Sequence, residues 1–215
     1  MPDTSLVRRA RKVNRALAET YPDARCELDF ADPFQLLVVT VLSAQTTDKR
    51  VNAASPALFA AYPDAKAMAA ADRAHLEQLI GPLGFFRAKT ESLLKLSAAL
   101  VEHHGGEVPP RLTDLVGLPG VGRKTANVVL NIAFGEPTIA VDTHIFRVGN
   151  RTGLATGKTP LEVEMKLEQV VPAEYKQHAH HWLILHGRYT CVARKPLCEK
   201  CIIADLCQWP GKTVV

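Results

Sequence analysis

The stretch LPGVGRKT at residues 118–125 predicts a tight turn that leads directly into a helix. Pro119 restricts its own φ, whereas Gly120 and Gly122 can adopt positive φ. A turn of this kind leaves backbone N–H groups facing outward, and the first turn of a helix adds further unpaired amides. Amides arranged in this way bind an anion, so we expect a phosphate to be held at Gly120 and Gly122.

Two helical segments flank this turn. A short one is predicted at residues 111–115, after a pair of prolines, and a longer one runs from the turn to about Phe134 and stops at Gly135. The sequence therefore predicts a helix, a hairpin and a second helix. Lys124 falls in the first turn of the second helix, beside the expected phosphate site.

Lys124 occupies a position that disfavours a positive charge. The N-terminal end of a helix opposes a cation by about 0.3–1 kcal/mol, and the neighbouring Arg123 acts in the same direction. Partial burial would favour the neutral amine further. A neutral lysine amine is a nucleophile that can attack a sugar aldehyde carbon and form a Schiff base. The alternative is a solvated surface lysine, which is the common state of this residue type.

A second motif, IAVDTHIFRV at residues 139–148, follows the longer helix. Together, LPGVGRKTANVVL and VDTHIFRV closely resemble the endonuclease III family, which are bifunctional DNA glycosylases and abasic-site lyases of the helix-hairpin-helix superfamily. The resemblance extends from about Phe30 to Cys207.

The resemblance implies two catalytic residues. Lys124 matches the family's nucleophile, and Asp142 matches its catalytic carboxylate. Without the resemblance, Asp142 is explained as the N-cap of a helix from Thr143, and both roles can hold because capping amides keep a carboxylate ionised. His144 is either an ordinary helix residue or a substrate contact.

Gln45 lies in a polar loop that follows a strongly apolar segment, Phe34 to Leu42, which we predict to be a buried helix starting at Asp32 and Pro33. The residues alone are also explained by an ordinary loop in which Asp48 caps the next helix. The resemblance implies that Gln45 fills the gap left in the duplex when a nucleotide is flipped out. The other DNA-binding residues that we expect come from the hairpin and from a basic loop near the C-terminus: Leu118, Gly120, Gly122, Arg123, Arg194 and Lys195.

Four cysteines follow the spacing C-x6-C-x2-C-x5-C, namely Cys191, Cys198, Cys201 and Cys207. Four thiolates in so short a stretch predict a metal site in a reducing compartment. Structural zinc usually uses two well-separated pairs, so the spacing favours a 4Fe–4S cube and leaves zinc as the alternative. The resemblance implies one 4Fe–4S cluster, which would stiffen the loop carrying Arg194 and Lys195 against a DNA backbone. Cys26 is assigned no role.

The composition fits a DNA-binding protein without requiring one. The chain of 215 residues has a net charge of +4 and is 47% hydrophobic, with basic residues crowded into residues 8–15 and 188–200. It contains no apolar run that could cross a membrane and no apolar core of a signal peptide. We therefore expect a cytoplasmic, nucleoid-associated monomer whose partner is damaged double-stranded DNA.

Helical periodicity without strand pairs predicts the all-α class. The last long helix is predicted from about Tyr175 or His178 to Tyr189, and its histidines, His180, His181 and His186, lack a metal-ligand spacing and are interpreted as core or surface residues. The resemblance implies a two-lobed helix-hairpin-helix DNA glycosylase fold with a cleft between the lobes. One lobe, residues 26–136, is a helical bundle that contains the hairpin. The other combines residues 1–25 with residues 137–215 and carries the iron–sulfur cluster.

The implied function is base-excision DNA repair. The enzyme would remove oxidised pyrimidines from duplex DNA by Schiff-base chemistry and cut the strand 3′ to the abasic site by β-elimination. One alternative is a monofunctional adenine glycosylase of the same fold, which lacks the lysine found here at Lys124 and has a further C-terminal domain, whereas this chain ends eight residues after Cys207. The other is a non-catalytic helix-hairpin-helix DNA-binding module, which would not need Lys124 together with Asp142.

Overall fold

The computed structural model describes residues 3–213, and within that range it contains eleven α-helices and no β-strand. This confirms the predicted all-α class. The helices, in chain order, are α1 (Thr4–Thr20), α2 (Pro33–Leu42), α3 (Asp48–Ala61), α4 (Ala65–Ala69), α5 (Arg73–Ile80), α6 (Phe86–His104), α7 (Leu112–Gly117), α8 (Arg123–Phe134), α9 (Thr143–Thr152), α10 (Pro160–Val170) and α11 (Ala173–Tyr189).

The chain divides into two compact units. One is the continuous segment Cys26–Gly135, and the other joins the residues up to Arg25 with those from Glu136 onward. No helix between residues 3 and 213 has both the length and the apolar character that a membrane crossing requires.

The continuous unit is built around α2. Its side chains are buried almost all round, and those of Leu36, Leu37 and Val38 have no exposed surface. The start of α2 was predicted correctly, because Asp32 accepts a hydrogen bond from the Gln35 amide at 2.8 Å and a proline follows. Helices α3, α6 and α8 pack against α2.

The discontinuous unit brings α1 onto the C-terminal half of the chain. Apolar side chains on one face of α1 pack with α10 and α11. Arg9 donates to the carbonyls of Thr152, Gly153 and Leu206 at 2.5, 2.8 and 3.0 Å. These bonds satisfy carbonyls at the end of α9 and fasten α1 to the cysteine-bearing segment.

Three predicted helix starts or ends need correction. The last long helix begins directly after Pro172, not at Tyr175 or His178, and its first-turn Glu174 pairs with Arg11 of α1 at 3.1 Å. A favourable acidic first turn and a partner distant in sequence both stabilise this start.

The other two corrections flank the candidate site. The N-cap of α3 is Thr47 and not Asp48, which is the first residue of the helix. Helix α7 begins at Leu112 and continues through Gly117, because only Leu118, whose helical conformation is disfavoured by the following proline, ends it.

Candidate functional site

The hairpin between α7 and α8 alternates buried and exposed residues. Leu118 and Val121 are 4% and 6% exposed and belong to the core, and the Val121 amide donates to the Leu118 carbonyl at 3.1 Å. Gly120 and Gly122 are exposed. The two apolar side chains anchor the turn, so the glycine backbone faces outward as predicted.

The two glycines differ in conformation. Gly120 has φ of 77°, as predicted, and a Cβ there would lie 3.1 Å from the Cβ of Ser92. The prediction for Gly122 was wrong, because its φ is −86° and its ψ 169°. Gly122 is the N-cap of α8, and an N-cap takes extended backbone that any residue can adopt. A Cβ at Gly122 would meet no protein atom within 4 Å, so its side faces open space.

The open amides and Lys124 lie together. No backbone carbonyl within residues 3–213 accepts from the amides of Gly120, Gly122 or Lys124. Lys124 is exposed, as is Arg123. The partial burial considered for Lys124 is therefore absent, whereas its predicted position in the first turn of α8, next to Arg123, is confirmed.

Asp142 caps α9, which confirms one of its two expected roles. Its Oδ1 accepts from the amides of His144 and Ile145 at 2.9 and 2.8 Å. Its Oδ2 lies 3.0 Å from His144 Nδ1, which donates when that nitrogen carries the proton. His144 is thus a direct partner of the carboxylate. The cap fixes the orientation of Asp142, since two amides and a ring nitrogen hold it.

Two exposed side chains, those of Gln45 and Phe85, lie on neighbouring turns of the segment Cys26–Gly135. Gln45 is exposed with φ of 54°, and Phe85 is 67% exposed with φ of 57°. A Cβ at Gly84 would lie 3.8 Å from the Gln45 carbonyl, so the two turns are neighbours. Sequence reasoning missed Phe85. The sequence feature that could have indicated it is the pair Phe85-Phe86, which directly follows the glycine turn at residues 81–84.

The four cysteines of the C-terminal segment line one cavity. None forms a disulfide, and each is partly exposed. Within the described part of the chain, no three potential ligands converge closely enough to hold a single metal ion. Burial raises the pKa of the Cys201 thiol, and the other three cysteines raise it further, so thiolates here need a cationic group. A cavity ringed by four thiols is the donor set of a four-iron cube.

Basic residues that the sequence analysis missed hold this segment in place. Arg151 donates to the Val192 carbonyl at 2.7 Å and lies 4.3 Å above the Trp209 ring. Lys212 donates to the carbonyls of Ala204 and Cys207, both at 2.9 Å. Their chain positions carry no motif, so only the fold identifies them.

His186 also contacts the cysteine segment, although the sequence suggested an ordinary core or surface histidine. Its Nε2 lies 3.6 Å from Cys201 Sγ. Burial lowers the pKa of His186 to about 4, so its ring is neutral near pH 7. Arg194 and Lys195 of the same segment are exposed.

Fold and site together define a helix-hairpin-helix DNA glycosylase. Residues 38–173 match the family model described as HhH-GPD superfamily base excision DNA repair protein, and residues 191–207 match the iron-sulfur binding domain of endonuclease III. Two relatives named endonuclease III, from Haemophilus influenzae and Escherichia coli K12, are each 53% identical over 91% of this chain and 93% of their own. The chain belongs to the endonuclease III family.

Solved structures agree with this assignment. A trapped endonuclease III–DNA covalent intermediate is 42% identical, with a TM-score of 0.88 over 97% of both chains. A non-covalent endonuclease III–DNA complex has the same identity and TM-score, over 97% of this chain and 96% of its own. A thermostable thymine-DNA glycosylase, 23% identical with a TM-score of 0.84, shares the fold.

The chain is accordingly a base excision DNA repair enzyme, a DNA glycosylase and abasic-site lyase, with one 4Fe–4S cluster. These findings confirm the predicted enzyme class and cofactor. They do not support a monofunctional adenine glycosylase or a non-catalytic module. The four cysteines that line the cavity are the residues that would hold the cluster, and their bonds to it would stiffen the loop between them.

Proposed function

We propose that this enzyme acts on damaged bases in duplex DNA, with Lys124 as its nucleophile and Asp142 as its catalytic carboxylate. The observation that carries the proposal is the exposed amine of Lys124 in the first turn of α8, beside outward-facing hairpin amides. The DNA in the two similar endonuclease III structures supports it, and one of those structures is a trapped covalent intermediate.

The hairpin would hold one phosphate of the damaged strand. The amides of Gly120 and Gly122 face outward, and the N-terminal end of α8 adds partial positive charge. The exposed guanidinium of Arg123 contributes a full charge. Leu118 acts through its backbone, because its side chain is buried in the core. The phosphate therefore places the adjoining sugar next to Lys124.

The damaged nucleotide must leave the base stack, since its C1′ is inaccessible there. The neutral Lys124 amine forms a bond to C1′, the glycosidic bond breaks, and the base leaves with a proton. The C1′–O4′ bond of the sugar ring then breaks, O4′ takes a proton, and the nitrogen and C1′ form the double bond of a Schiff base, which makes the C2′ proton acidic. Loss of that proton and of the 3′ phosphate cuts the strand by β-elimination, and water then releases Lys124. Oxidised pyrimidines are the proposed substrates.

Asp142 would stabilise positive charge that develops on the sugar and keep Lys124 available as a neutral amine. Both of its oxygens are already held, one by the α9 amides and the other by His144. A carboxylate fixed in this way reorients little during the reaction, which is the condition for strong electrostatic stabilisation. His144 would then act through Asp142.

Gln45 and Phe85 would occupy the space left by the flipped nucleotide. Gln45 supplies hydrogen-bonding groups for the unpaired base, and an exposed aromatic ring such as Phe85 can wedge between base pairs. The exposed Arg194 and Lys195 would contact the backbone farther along the duplex. We also propose that the enzyme works as a monomer on the nucleoid in the cytoplasm.

The test is borohydride trapping on abasic-site DNA. Lys124→Gln should abolish the covalent complex while DNA binding stays within a few-fold of wild type, because only the nucleophile is removed. Lys95→Gln, a change at an exposed lysine in α6, is the matched control and should trap normally. Undiminished trapping by Lys124→Gln would show that Lys124 is not the nucleophile.

A further inference from the structure

Lys89 is a buried lysine that the proposed chemistry does not use. It lies in α6 and is 6% exposed. Burial lowers the pKa of Lys89. Its Nζ donates to Thr46 Oγ1 at 2.6 Å. Burying an ammonium with a hydroxyl partner in place of a carboxylate is costly.

That hydrogen bond reaches the turn that carries Gln45. The Thr46 amide closes this turn by donating to the Ser43 carbonyl at 3.1 Å, and Gln45 between them has φ of 54°. A left-handed conformation costs a non-glycine residue roughly 1–2 kcal/mol. It persists only where the surroundings determine it, and the bond from Lys89 supplies part of that restraint.

Lys89 also contacts the second exposed turn. Its amide makes the first i→i−4 backbone bond of α6, to the carbonyl of the N-cap residue Phe85 at 3.0 Å, and Phe85 has φ of 57°. Between the two turns, a Cβ at Gly84 would lie 3.9 Å from Thr46 Oγ1. One residue thus bonds to both positive-φ turns, through its backbone to one and through its ammonium to the other.

We propose that Lys89 is a positioning residue that fixes Gln45 and Phe85 relative to each other. This inference rests on the proposed function, in which both side chains enter the duplex. Lys89 would then affect the stability of the flipped-out nucleotide, and would not affect the reaction at Lys124.

The test compares two substrates. Lys89→Met keeps the stem of the side chain and removes its hydrogen bond, and Lys95→Met at an exposed position of the same helix is the control. Single-turnover cleavage of a lesion in duplex DNA should slow by roughly 10–100-fold in Lys89→Met, since small misplacements near a reacting group cost up to about 10². Borohydride trapping on an abasic site in single-stranded DNA, which needs no flipping, should be unchanged.

Variants at Thr46 keep the proposal falsifiable if Lys89→Met folds poorly. Thr46→Val removes the acceptor and should reproduce the duplex defect, whereas Thr46→Ser retains the oxygen and should behave as wild type. Combining Thr46→Val with Lys89→Met should add little to Thr46→Val alone, because both changes break the bond between Lys89 and Thr46. Thr46→Val also removes the longer bond, 3.5 Å, from Thr46 Oγ1 to the Ala44 carbonyl, which Thr46→Ser retains.

Three outcomes would overturn the proposal: wild-type duplex rates in Thr46→Val, an equal defect in Lys95→Met, or an equal loss of trapping on single-stranded DNA. Failure of the proposed function is distinguishable, because it would appear as persistent trapping by Lys124→Gln while the Lys89 variants leave the single-stranded reaction intact.

Discussion

Alanine substitutions at the two hairpin glycines should separate folding from DNA binding. At Gly120, alanine inherits a φ of 77°, which costs roughly 1–2 kcal/mol. Its Cβ also meets Ser92 Cβ at 3.1 Å, and crowding of this kind costs about 1–3 kcal/mol. We expect Gly120→Ala to lose roughly 2–5 kcal/mol of stability, a fall in Tm of about 4–20 °C for a chain of this size.

Gly122→Ala should leave stability nearly unchanged. Alanine is a weaker N-cap than glycine, but it also restricts the unfolded chain, which is worth about 0.4–1 kcal/mol in the opposite direction. Its Cβ would meet no protein atom within 4 Å. If a DNA phosphate approaches this backbone, the methyl group occupies its place. Affinity should then fall, and the log–log salt slope should drop by about 0.9, because the enzyme neutralises one phosphate fewer.

The assay is thermal unfolding together with DNA binding at several salt concentrations. Adding Ser92→Gly to Gly120→Ala removes the side chain that the new methyl group meets, so the pair should be less destabilised than the sum of the single changes. Wild-type stability of Gly120→Ala would refute the hairpin geometry. Wild-type binding by Gly122→Ala at every salt concentration would refute a phosphate at this turn.

Three further outcomes are expected. Asp142→Asn keeps one oxygen for the α9 cap but removes the acceptor for His144. DNA binding should therefore hold, while single-turnover cleavage falls by about 10²–10⁴-fold. Cleavage at the wild-type rate would show that Asp142 serves only as a helix cap. Arg194→Ala should lower the log–log salt slope by about 0.9 for damaged and undamaged DNA alike, and an unchanged slope would show that this loop does not touch the DNA backbone. A thiolate-held cube absorbs broadly at about 400 nm and contains roughly four irons per chain. Cys198→Ser should lose this absorbance and bind less iron. An unchanged spectrum and iron content would exclude Cys198 as a ligand.

The sequence predicted where a helix starts when a capping side chain next to that start determines it. Asp32 and Asp142 both cap helices through their side chains, as expected from aspartate placed before a helix. The conformation of Gly122 was not predictable from a glycine-x-glycine pattern, because the pattern does not specify which glycine has positive φ and which begins the helix.

Contacts between residues far apart in the sequence could not be predicted from local sequence patterns. The burial of Lys89 depends on the packing of α6 against a turn 43 positions earlier in the sequence. Arg151 contacts the cysteine segment across 41 positions. Lysine and arginine at such positions are normally exposed, so a sequence pattern predicts a solvated surface and only the assembled fold reveals the partner.

The bonds of Arg9 have a consequence for the order in which the protein is made. One of them joins Arg9 to a carbonyl 197 positions later. At about 5–20 residues per second, translation separates these partners by roughly 10–40 s. The segment Cys26–Gly135 is complete well before then, whereas the apolar face of α1, with Ala10, Val13 and Leu17, must wait for the later residues with which it packs. Helix α1 leaves the ribosome before the other described helices and is thus among the last of them to pack, together with the cysteines that receive iron.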